Sequence, residues 1–298
     1  ASGSINPRDV IVPGILVDYA VISPAECHYQ NFGNQPYDAA LAHEFRVPVD
    51  SLPILPMSDR KVIARRAAME LPKNAVINLG IGMPEGVSSV AVEEGFADQL
   101  TMTVEAGQIG GVPAAGAAFG GAYNPEFVND MIRHFDFYDG GGLDVCFLGA
   151  AEVDNMGNCN VSKFTRTVGP GGFINIASNT PKCVFCGTLT AGGLKTEIKD
   201  GKLVILQEGR NKKYMKHVKQ VTFSGENAVK SGQTVLFVTE RAVFELDNDG
   251  IILTEIAPGI DLQTQVLDMI DFDVRVSPNL KLMDARIFAE GPMGLELK

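Results

Sequence analysis

The sequence has few cysteines, and their number and spacing exclude several kinds of site. Five cysteines occur among 298 residues, and a low, odd number argues against a disulfide framework and for a reducing compartment. We therefore expect a cytoplasmic protein. Cys183 and Cys186 match a CxxC pattern, but no histidine lies near them, and residues three apart on a strand face opposite ways. We expect a buried strand there, with no metal site and no redox pair.

Long apolar runs and positive charge are also scarce. No uninterrupted apolar run approaches the roughly 20 residues that span a bilayer, and residues 1–7 lack the apolar stretch of a signal peptide. The formal net charge is −11, which disfavours nucleic acid and anionic membrane surfaces as partners. A small anion remains compatible with this charge if loops and helix ends accommodate it. Because the chain does not begin with methionine, we expect a processed or truncated piece of a longer protein, or one subunit of two.

Two common enzyme motifs are missing. The glycine-rich segment 168–172, Val-Gly-Pro-Gly-Gly, lacks the Lys-Ser/Thr pair that a phosphate-binding P-loop needs, which disfavours an NTPase. No G-x-S-x-G sequence occurs, so a serine hydrolase has no nucleophile motif. Hydrophobic residues make up 45% of the chain and charged residues 20%, which predicts a packed core rather than disorder.

Turn-forming residues separate the start of the chain from the rest. Residues 1–57 predict an entry strand, to which residues 11–22 lead as a connector, followed by a long irregular arm, and residues 58–298 predict one α/β domain. Ser58 or Asp59 can cap a helix that ends before Pro72. The prolines of the arm stand at positions 7, 13, 24, 36, 48, 53 and 56.

The next segments predict a βαβ unit and an open, mostly parallel α/β sheet flanked by helices. A strand at 75–79, a loop at 80–86, a helix at 86–94 and a strand at 100–104 require a crossover between parallel strands. Further elements are predicted as helices at 125–134 and 262–270, a helix start within 168–177, strands at 143–148, 184–188, 203–207, 220–223, 235–239 and 274–276, and a hairpin of 243–246 with 251–256 around Asp247–Gly250.

Glu105 is the leading candidate for catalysis. It closes the predicted strand 100–104 and is followed by the glycine-rich segment 106–111. Strand ends and helix starts converge at the ligand-binding edge of an α/β sheet, and glycines there leave room for a substrate and bare amides. The competing interpretation is an ordinary glutamate in a turn or an ion pair. The position favours a nucleophile or general base.

The Gly80–Gly86 turn supports a second hypothesis. Its GxGxxxG pattern lies between a strand and a helix, and an acid, Glu105, ends the next strand. This is also the arrangement of a dinucleotide site, so an NAD-dependent dehydrogenase stays an alternative. Pro84 counts against it, because proline removes one of the N–H groups that a pyrophosphate needs at the helix start.

Two other segments are less specific. The 168–172 loop is either a plain tight turn or a nest of amides that binds an oxyanion. Arg210, Lys212, Lys213, Lys216 and Lys219 form a basic run, which is typical of a solvated face and only less often of a phosphate clamp.

Taken in order, these motifs resemble the family I coenzyme A transferases, and most of all the single-chain acetate/propionate CoA-transferase type. The resemblance covers essentially the whole chain but only the C-terminal, glutamate-bearing half of such an enzyme. Two-subunit members carry Ser-Glu-Asn-Gly at the catalytic acid, whereas this chain has Val104-Glu-Ala-Gly107. The matching segments are Ile77–Pro84, Thr103–Gly107, Gly169–Gly172, Val238–Phe244, Ile256–Gly259 and Val276–Met283.

The resemblance implies a CoA-transferase superfamily fold, in which residues 58–298 would be the glutamate-bearing, beta-type catalytic domain. It also implies a ping-pong reaction between short-chain acyl-CoA and a carboxylic acid. Glu105 would be the nucleophile, and coenzyme A would be a substrate, so no cofactor, ATP or metal is implied. The partners would be acyl-CoA, short-chain carboxylates and the missing N-terminal half or a companion alpha-type chain, in a homo-oligomer of the whole enzyme. A non-catalytic acyl-CoA-binding subunit is the other alternative. The residues implied for oxyanion and CoA binding are Gly80, Ile81, Gly82, Met83, Pro84, Gly169, Gly171 and Gly172.

Overall fold

The computed structural model describes residues 3–28, 37–163 and 168–297. Contacts within the chain divide it into two compact units, Ala1–Asp38 and Ala39–Lys298. The division between an arm and a catalytic domain at residues 57 and 58 stays a prediction. Residues 1, 2 and 29–36 of the predicted arm, and residues 164–167 and 298 of the predicted domain, lie outside the described residues.

The first unit consists of short turns. Its described residues form three 3₁₀ turns, Pro7–Asp9, Gly14–Leu16 and Ala25–Cys27. The side chain of Asn6 caps the first turn by accepting a hydrogen bond from the backbone N–H of Arg8. The described part of this unit contains no strand, so the entry strand to which residues 11–22 were predicted to lead is not found there. Pro13 starts a turn near the beginning of that segment, which interrupts an extended run.

The second unit is built on a ten-stranded sheet. In chain order its strands are β1 Val76–Leu79, β2 Thr101–Thr103, β3 Gln108–Ile109, β4 Phe127–Val128, β5 Val145–Gly149, β6 Lys182–Cys186, β7 Thr234–Val238, β8 Ala242–Asp247, β9 Gly250–Ile256 and β10 Arg275–Leu282. Their order across the sheet is β10-β9-β8-β7-β6-β5-β1-β2-β3-β4.

The centre of this sheet is parallel. Strands β2, β1, β5, β6 and β7 pair in parallel, and Ile77 stands beside both Met102 and Val145. Antiparallel pairs join β3, β4 and β8 to their neighbours, while β9 and β10 pair in parallel. Central strands such as β5 read as continuous apolar runs because both faces are covered. The predicted open, mostly parallel α/β sheet flanked by helices is confirmed.

Six α-helices accompany the sheet in the described residues. Ser58 caps the first helix, as predicted, by accepting a hydrogen bond from the backbone N–H of Lys61. The helices are α1 Asp59–Ala68, α2 Gly86–Glu93, α3 Met131–Asp139, α4 Phe173–Asn179, α5 Gly225–Ser231 and α6 Leu262–Gln265. Within the described residues, no helix combines the length and the apolar character needed to cross a membrane.

The strand order creates a switch point between β1 and β5. The chain moves from β1 through α2 to β2 in one direction across the sheet, and from β5 through α4 to β6 in the other. Since such crossovers are right-handed, α2 and α4 lie on opposite faces. A crevice therefore opens beyond the carboxyl ends of β1 and β5, which is where ligands bind in open α/β sheets.

Several predicted elements differ in the structure. The helix predicted at 125–134 begins only at Met131, because Phe127 and Val128 pair with β3 instead and Asp130 caps the helix. Residues 220–223 make an isolated bridge through Phe223 rather than a strand. The helix predicted at 262–270 is the short α6 followed by a 3₁₀ turn, Leu267–Met269.

Small two-stranded ladders lie outside the main sheet. One is the hairpin of Lys195–Lys199 with Lys202–Gln207, of which the sequence predicted only the second strand. Such a ladder can be missed because its strands are mostly solvent-exposed and carry little apolar pattern. The others pair Val112–Pro113 with Ala122–Tyr123, Glu152–Val153 with Cys159–Asn160, and Thr190–Ala191 with Asn211–Lys212.

Candidate functional site

A cavity of about 530 Å³ lies at the switch point between β1 and β5. The ends of these strands form one wall through Leu79, Gly80, Leu148 and Gly149. The two strands are held together at this level because the backbone N–H of Gly80 donates to the carbonyl of Phe147 at 2.8 Å. Most of the lining is glycine or apolar, and Glu105 and Lys213 are its two members with formally charged side chains. This cavity combines a mostly apolar wall with one acidic and one basic side chain, and we call it the catalytic cavity because it contains Glu105, the candidate nucleophile.

Glu105 stands in a tight turn between β2 and β3. The sequence predicted that the strand ends in a glycine-rich loop. In the structure the loop is a reverse turn, and the chain continues into β3, which pairs antiparallel with β2. The turn closes with a hydrogen bond from the backbone N–H of Gly107 to the carbonyl of Val104. Gly107 has φ of +124°, and a side chain there would collide with the carbonyl of Asn129, so glycine is required. The turn projects Glu105 into the catalytic cavity.

The Glu105 carboxylate is half-buried and unpaired. Among the described residues it makes no hydrogen bond or ion pair, in contrast to buried carboxylates such as Glu255, which pairs with Arg66 at 2.8 Å. Desolvation by burial raises the pKa of Glu105. A carboxylate that is partly stripped of water and has no partner is a better nucleophile than one in solvent.

Gly172 brings the third glycine-rich loop against this acid. The loop Gly169–Gly172 leads into α4, and Gly172 occupies the cap position of that helix. A Cβ atom at Gly172 would overlap Oε2 of Glu105 and would also crowd the ring of Phe135. The absence of a side chain at this position therefore lets the carboxylate approach the start of α4.

The structure gathers most of the predicted site residues around one cavity. Gly82 differs from the others: it does not contribute to the lining, it is exposed, and its carbonyl accepts a hydrogen bond from Arg60 at 2.7 Å. The residues that line the cavity together with Glu105 are Gly80, Ile81, Met83, Pro84, Gly169, Gly171 and Gly172.

The start of α2 is poorly suited to a pyrophosphate. Glu85 is buried at this helix end, where its carboxylate pairs with Arg60 and accepts a hydrogen bond from the backbone N–H of Gly116. A carboxylate at this position repels a second anion, and Pro84 just before it offers no N–H group. Both features weigh against the dinucleotide interpretation of the Gly80–Gly86 turn.

A network of hydrogen bonds centred on Tyr138 holds the wall of the catalytic cavity that contains Asn78. The Tyr138 hydroxyl donates to Thr103 Oγ1 at 2.8 Å and accepts from Asn78 Nδ2 at 3.0 Å. The His134 ring contacts the same hydroxyl at 2.7 Å. Burial raises the pKa of Tyr138 to about 12, so the hydroxyl stays protonated. Asn78 also lines the cavity, and the network therefore fixes one wall next to Glu105.

Lys213 was not predicted as a site residue. The sequence placed it in a basic run typical of a solvated face, but the side chain is partly buried and lines the catalytic cavity. Its Nζ would lie 2.7 Å from a Cβ at Gly187, so this glycine leaves space for the lysine. The one local signal is that Tyr214 and Met215 interrupt the charged run, which indicates that part of this segment packs inward.

Three of the cysteines lie on two neighbouring strands of the main sheet. Cys183 of β6 stands beside Cys146 of β5, with 3.5 Å between their sulfur atoms, and Cys186 lines the cavity. The CxxC pair lies in a buried strand, as predicted. No group of three or more potential metal ligands occurs in the parts of the chain that the structure describes.

Comparison with known proteins gives several matches over the length of the chain. The acetate CoA-transferase YdiF of Escherichia coli is 48% identical over 295 residues, covering 99% of this chain and 55% of that protein. The caffeate CoA-transferase of Acetobacterium woodii is also 48% identical, covering 98% of this chain and 57% of that protein. The chain belongs to the family I CoA-transferases. A scan against protein-family models gives no match.

Solved structures agree with this family assignment. The crystal structure of the YdiF apoenzyme from E. coli O157:H7 superposes with a TM-score of 0.88 at 47% identity, over 99% of this chain and 55% of that one. Its thioester complex with CoA superposes with a TM-score of 0.86 at 46% identity. The CoA-transferase fold predicted from the sequence is therefore confirmed. The chain spans about half the length of these relatives.

Proposed function

We propose that this chain carries the nucleophile of an enzyme that moves coenzyme A between a short-chain acyl-CoA and a carboxylic acid. One observation carries the proposal: the unpaired carboxylate of Glu105 projects into the catalytic cavity, against Gly172, in a chain of the family I CoA-transferases. The YdiF structure that contains a thioester with CoA supports the same chemistry, since it superposes on this chain.

The proposed reaction begins with attack of a Glu105 oxygen on the thioester carbonyl. The carbon–sulfur bond breaks, CoA leaves as a thiolate, and a mixed acyl-glutamyl anhydride remains. The thiolate then attacks the glutamyl carbonyl, which releases the first acid as a carboxylate and leaves a glutamyl-CoA thioester. A second carboxylate attacks this thioester, and the steps run in reverse to give the new acyl-CoA. One thioester replaces another, so the overall exchange needs no ATP.

Stabilisation of the tetrahedral oxyanion is assigned to backbone amides. The Gly169–Gly172 loop and the Gly80–Pro84 turn contribute to the lining of the cavity that contains Glu105. The N–H groups of Gly80 and Gly169 already donate to the carbonyls of Phe147 and Ser162. The proposed donors are therefore the amides of Ile81, Met83, Gly171 and Gly172. Amides held by the fold need no reorganisation as charge develops, and removal of one such donor typically costs about 10²- to 10³-fold in rate. The mostly apolar lining lowers the local dielectric constant, which strengthens these interactions.

The acids proposed as substrates are small and similar in shape. Acetate, propionate, butyrate and lactate are the proposed substrates, and they differ by one or two small groups. A methylene in a pocket contributes about 1–3 kcal/mol to discrimination, so the enzyme is expected to accept several of them. The remaining half of the whole enzyme, in the same polypeptide or in a companion alpha-type chain, is proposed to complete the CoA site, and the whole enzyme is proposed to act as a cytoplasmic homo-oligomer.

Covalent trapping tests the proposed function. The whole enzyme is incubated with acetyl-CoA and then with hydroxylamine or borohydride, and the peptides are analysed by mass. We expect a modified Glu105 in the wild type, none in Glu105→Gln, and full modification in Glu197→Gln, whose side chain is exposed on a surface hairpin. Normal acetate exchange without any mark on Glu105 would refute the assignment.

The same preparation separates the alternatives. An NAD-dependent dehydrogenase predicts a nicotinamide-dependent absorbance change and no trapped glutamate. A non-catalytic acyl-CoA-binding subunit predicts saturable binding of acetyl-CoA with neither signal. Only a CoA-transferase predicts exchange of labelled acetate into acetyl-CoA that is lost together with the trapped Glu105 adduct.

A further inference from the structure

The ring of Phe135, on α3, lies beside the carboxylate of Glu105. A Cβ atom at Gly172 would come closer than 3.0 Å both to Oε2 of Glu105 and to Cζ of Phe135. Because both atoms border the same small space, the carboxylate oxygen and the tip of the ring are neighbours. Glu105 lines the catalytic cavity, whereas Phe135 is half-buried outside its lining and packs against the hydrophobic core. The ring therefore borders the carboxylate from the protein side.

The orientation of this ring is fixed by its neighbours on α3 and β2. The rings of Phe135 and Tyr138 make an edge contact, with their centroids 5.7 Å apart and their planes at 84°. Tyr138 is itself held, because its hydroxyl donates to Thr103 Oγ1 at 2.8 Å and accepts from Asn78 Nδ2 at 3.0 Å. Thr103 ends β2, two positions before Glu105. The ring is therefore held at a fixed place relative to the turn that carries Glu105.

The same helix is connected to α4, which begins beside Glu105. The side-chain amide of Asn175 donates to both carboxylate oxygens of Asp139 at 3.1 Å. Asn179 Nδ2 donates to the backbone carbonyl of Asp139 at 3.0 Å. Helix α3 therefore contacts both segments that meet at the carboxylate, the turn after β2 and the helix that starts after Gly172.

The titratable groups around Glu105 do not explain why its pKa is raised, and burial does. Burial lowers the pKa of His134 and raises that of Tyr138 to about 12, so both side chains are neutral at neutral pH. Lys213 lines the same cavity, and a cation near Glu105 would lower the pKa of the carboxyl group instead. The other charged residues of α3 and its cap are exposed, namely Asp130, Arg133, Asp136 and Asp139.

The edge of an aromatic ring suits a carboxylate that has to stay reactive. The ring quadrupole places positive charge on the edge and negative charge on the faces, so the edge attracts an anion weakly. Its C–H groups donate no conventional hydrogen bond, and they fill space that water would otherwise occupy. A carboxylate with such a neighbour keeps its lone pairs available for attack on a carbonyl carbon.

We propose that Phe135 is a positioning residue for Glu105: its ring edge closes the protein side of the carboxylate, keeps water from it and directs it into the catalytic cavity. This inference rests on the proposed function, since it concerns the same nucleophile. Because Phe135 stands outside the lining of the cavity, it acts through Glu105 and not on the substrate. Its contribution therefore falls on the acylation of Glu105 and not on the binding of acetyl-CoA.

Phe135→Tyr tests the proposal directly, because it adds a hydroxyl at Cζ, the ring atom beside Oε2. The hydroxyl should donate a hydrogen bond to the carboxylate, which favours its charged form and occupies a lone pair. In the whole enzyme we expect single-turnover labelling of Glu105 by acetyl-CoA to slow about 10- to 100-fold at pH 7. The acid limb of the labelling rate should move to lower pH, toward or below the ordinary glutamate pKa of 4.5.

Phe135→Leu is the conservative variant. It keeps an apolar side chain against the carboxylate and adds no donor, so water stays excluded. We expect the labelling rate to stay within about fivefold of wild type, with the acid limb unchanged, because swaps between large apolar side chains are tolerated. The affinity for acetyl-CoA should be the same, within about twofold, in the wild type and in both Phe135 variants, since the substrate does not touch this ring.

Phe137 provides the matched controls on the same helix. Its ring is 36% exposed and packs at Gly142, where a Cβ atom would overlap it, instead of beside Glu105. Phe137→Tyr and Phe137→Leu should therefore leave both the labelling rate and its acid limb as in wild type. Thermal unfolding of every variant shows that the compared proteins are folded.

Two results would overturn the inference. One is a folded Phe135→Tyr variant with the labelling rate and acid limb of wild type. The other is an equal slowing of labelling in the Tyr and Leu variants with an unchanged acid limb, which is the result that a merely structural role predicts. In both cases the wild-type enzyme still acquires a label on Glu105, whereas failure of the proposed function removes that label from the wild type itself.

Discussion

The carboxylate of Glu105 lies against the bare Cα of Gly172, so closely that a Cβ at this position would overlap Oε2. The two residues come from different parts of the fold: Glu105 from the turn after β2, and Gly172 from the start of α4. The parallel order β2-β1-β5-β6 brings both to the same edge of the sheet. This contact therefore joins the proposed nucleophile to one of the loops that would hold the oxyanion.

Gly172→Ala should reduce turnover strongly without unfolding the protein. The added methyl group would displace the Glu105 carboxylate, and misplacement of a reacting group by about 1 Å can cost about 100-fold in rate. Gly172 has φ of −77°, which suits alanine, but the methyl group would also crowd the Phe135 ring. We therefore expect a loss of about 1–3 kcal/mol in the free energy of unfolding, with the fold retained. Steady-state acetate exchange together with thermal unfolding measures both effects. Turnover within about threefold of wild type would show that the contact does not position the carboxylate.

The parts of this site that could be predicted from the sequence depend on local signals. Ser58 identifies the start of α1 because capping involves only neighbouring residues, and the position of Glu105 after a strand indicates the edge of a sheet. The helix at 125–134 was misplaced because Phe127 and Val128 pair with residues about 20 positions earlier. No local pattern encodes that pairing.

The same reasoning explains why the sequence did not predict that Lys213 lines the cavity and that Gly82 does not. A run of lysines indicates a solvated face, and only the packing against Gly187 shows that one of them faces a cavity. Gly82 belongs to the same motif as Gly80, yet it faces away from the cavity, because Arg60 of α1 holds its carbonyl outside. Which members of a glycine-rich turn face a ligand depends on the helix packed against it.

The pH dependence of Glu105 acylation should reflect its environment. Burial raises the pKa of this carboxyl group, and only the carboxylate attacks a thioester. The acid limb of the rate should therefore lie above the ordinary glutamate pKa of 4.5, with the rate rising as pH increases. Single-turnover labelling of Glu105 by acetyl-CoA across a pH series measures it directly. An acid limb at or below the ordinary value would contradict a desolvated carboxylate.

Glu105→Gln should stabilise the folded protein at neutral pH. Because the folded pKa is raised, the native state holds this proton more tightly than the unfolded state, and stability is lost as pH rises through the window between the ordinary and the raised pKa. Glutamine carries no charge and avoids this loss. The gain over wild type should be present at pH 7 and vanish below the ordinary pKa of 4.5 in urea unfolding.

The matched control for this effect is Glu197→Gln, on the exposed hairpin. Surface substitutions of this kind usually change the free energy of unfolding by no more than about 0.5 kcal/mol. A Glu105→Gln variant that is less stable than wild type at pH 7 would mean that the carboxylate makes favourable contacts in the fold.

Tyr138→Phe should destabilise the protein by about 1–3 kcal/mol, because it leaves buried hydrogen-bonding groups without a partner. The hydroxyl joins Asn78, Thr103 and His134 within 3.0 Å. Tyr214→Phe is the matched control: that tyrosine is also buried, but its hydroxyl makes no hydrogen bond with any residue that the structure describes. Equal free energies of unfolding of the two variants in urea would show that the hydrogen bonds of Tyr138 do not stabilise this wall of the cavity.

Arg241→Met should destabilise the fold more than any surface change. Arg241 Nε donates to Glu240 at 2.5 Å, and Nη1 donates to Glu208 at 2.7 Å and to the carbonyl of Gln265 at 3.0 Å. Arg241 and Glu240 are fully buried. Removing one partner of such a pair leaves an uncompensated buried charge, which typically costs about 3–5 kcal/mol.

The comparison with Arg275→Met decides whether burial of the ion pair causes the large loss of stability expected for Arg241→Met. Arg275 pairs with Asp247 at 2.5 Å, but the two side chains are 39% and 45% exposed, and exposed pairs contribute about 0–1 kcal/mol. The Arg241 variant should also lose exchange activity, because Glu240 accepts a hydrogen bond at 2.9 Å from Leu189, next to the wall residue Thr188. Similar losses of stability in both variants would mean that the buried pair of Arg241 and Glu240 contributes no more to stability than an exposed pair. The pair would then not explain how this wall is held in place.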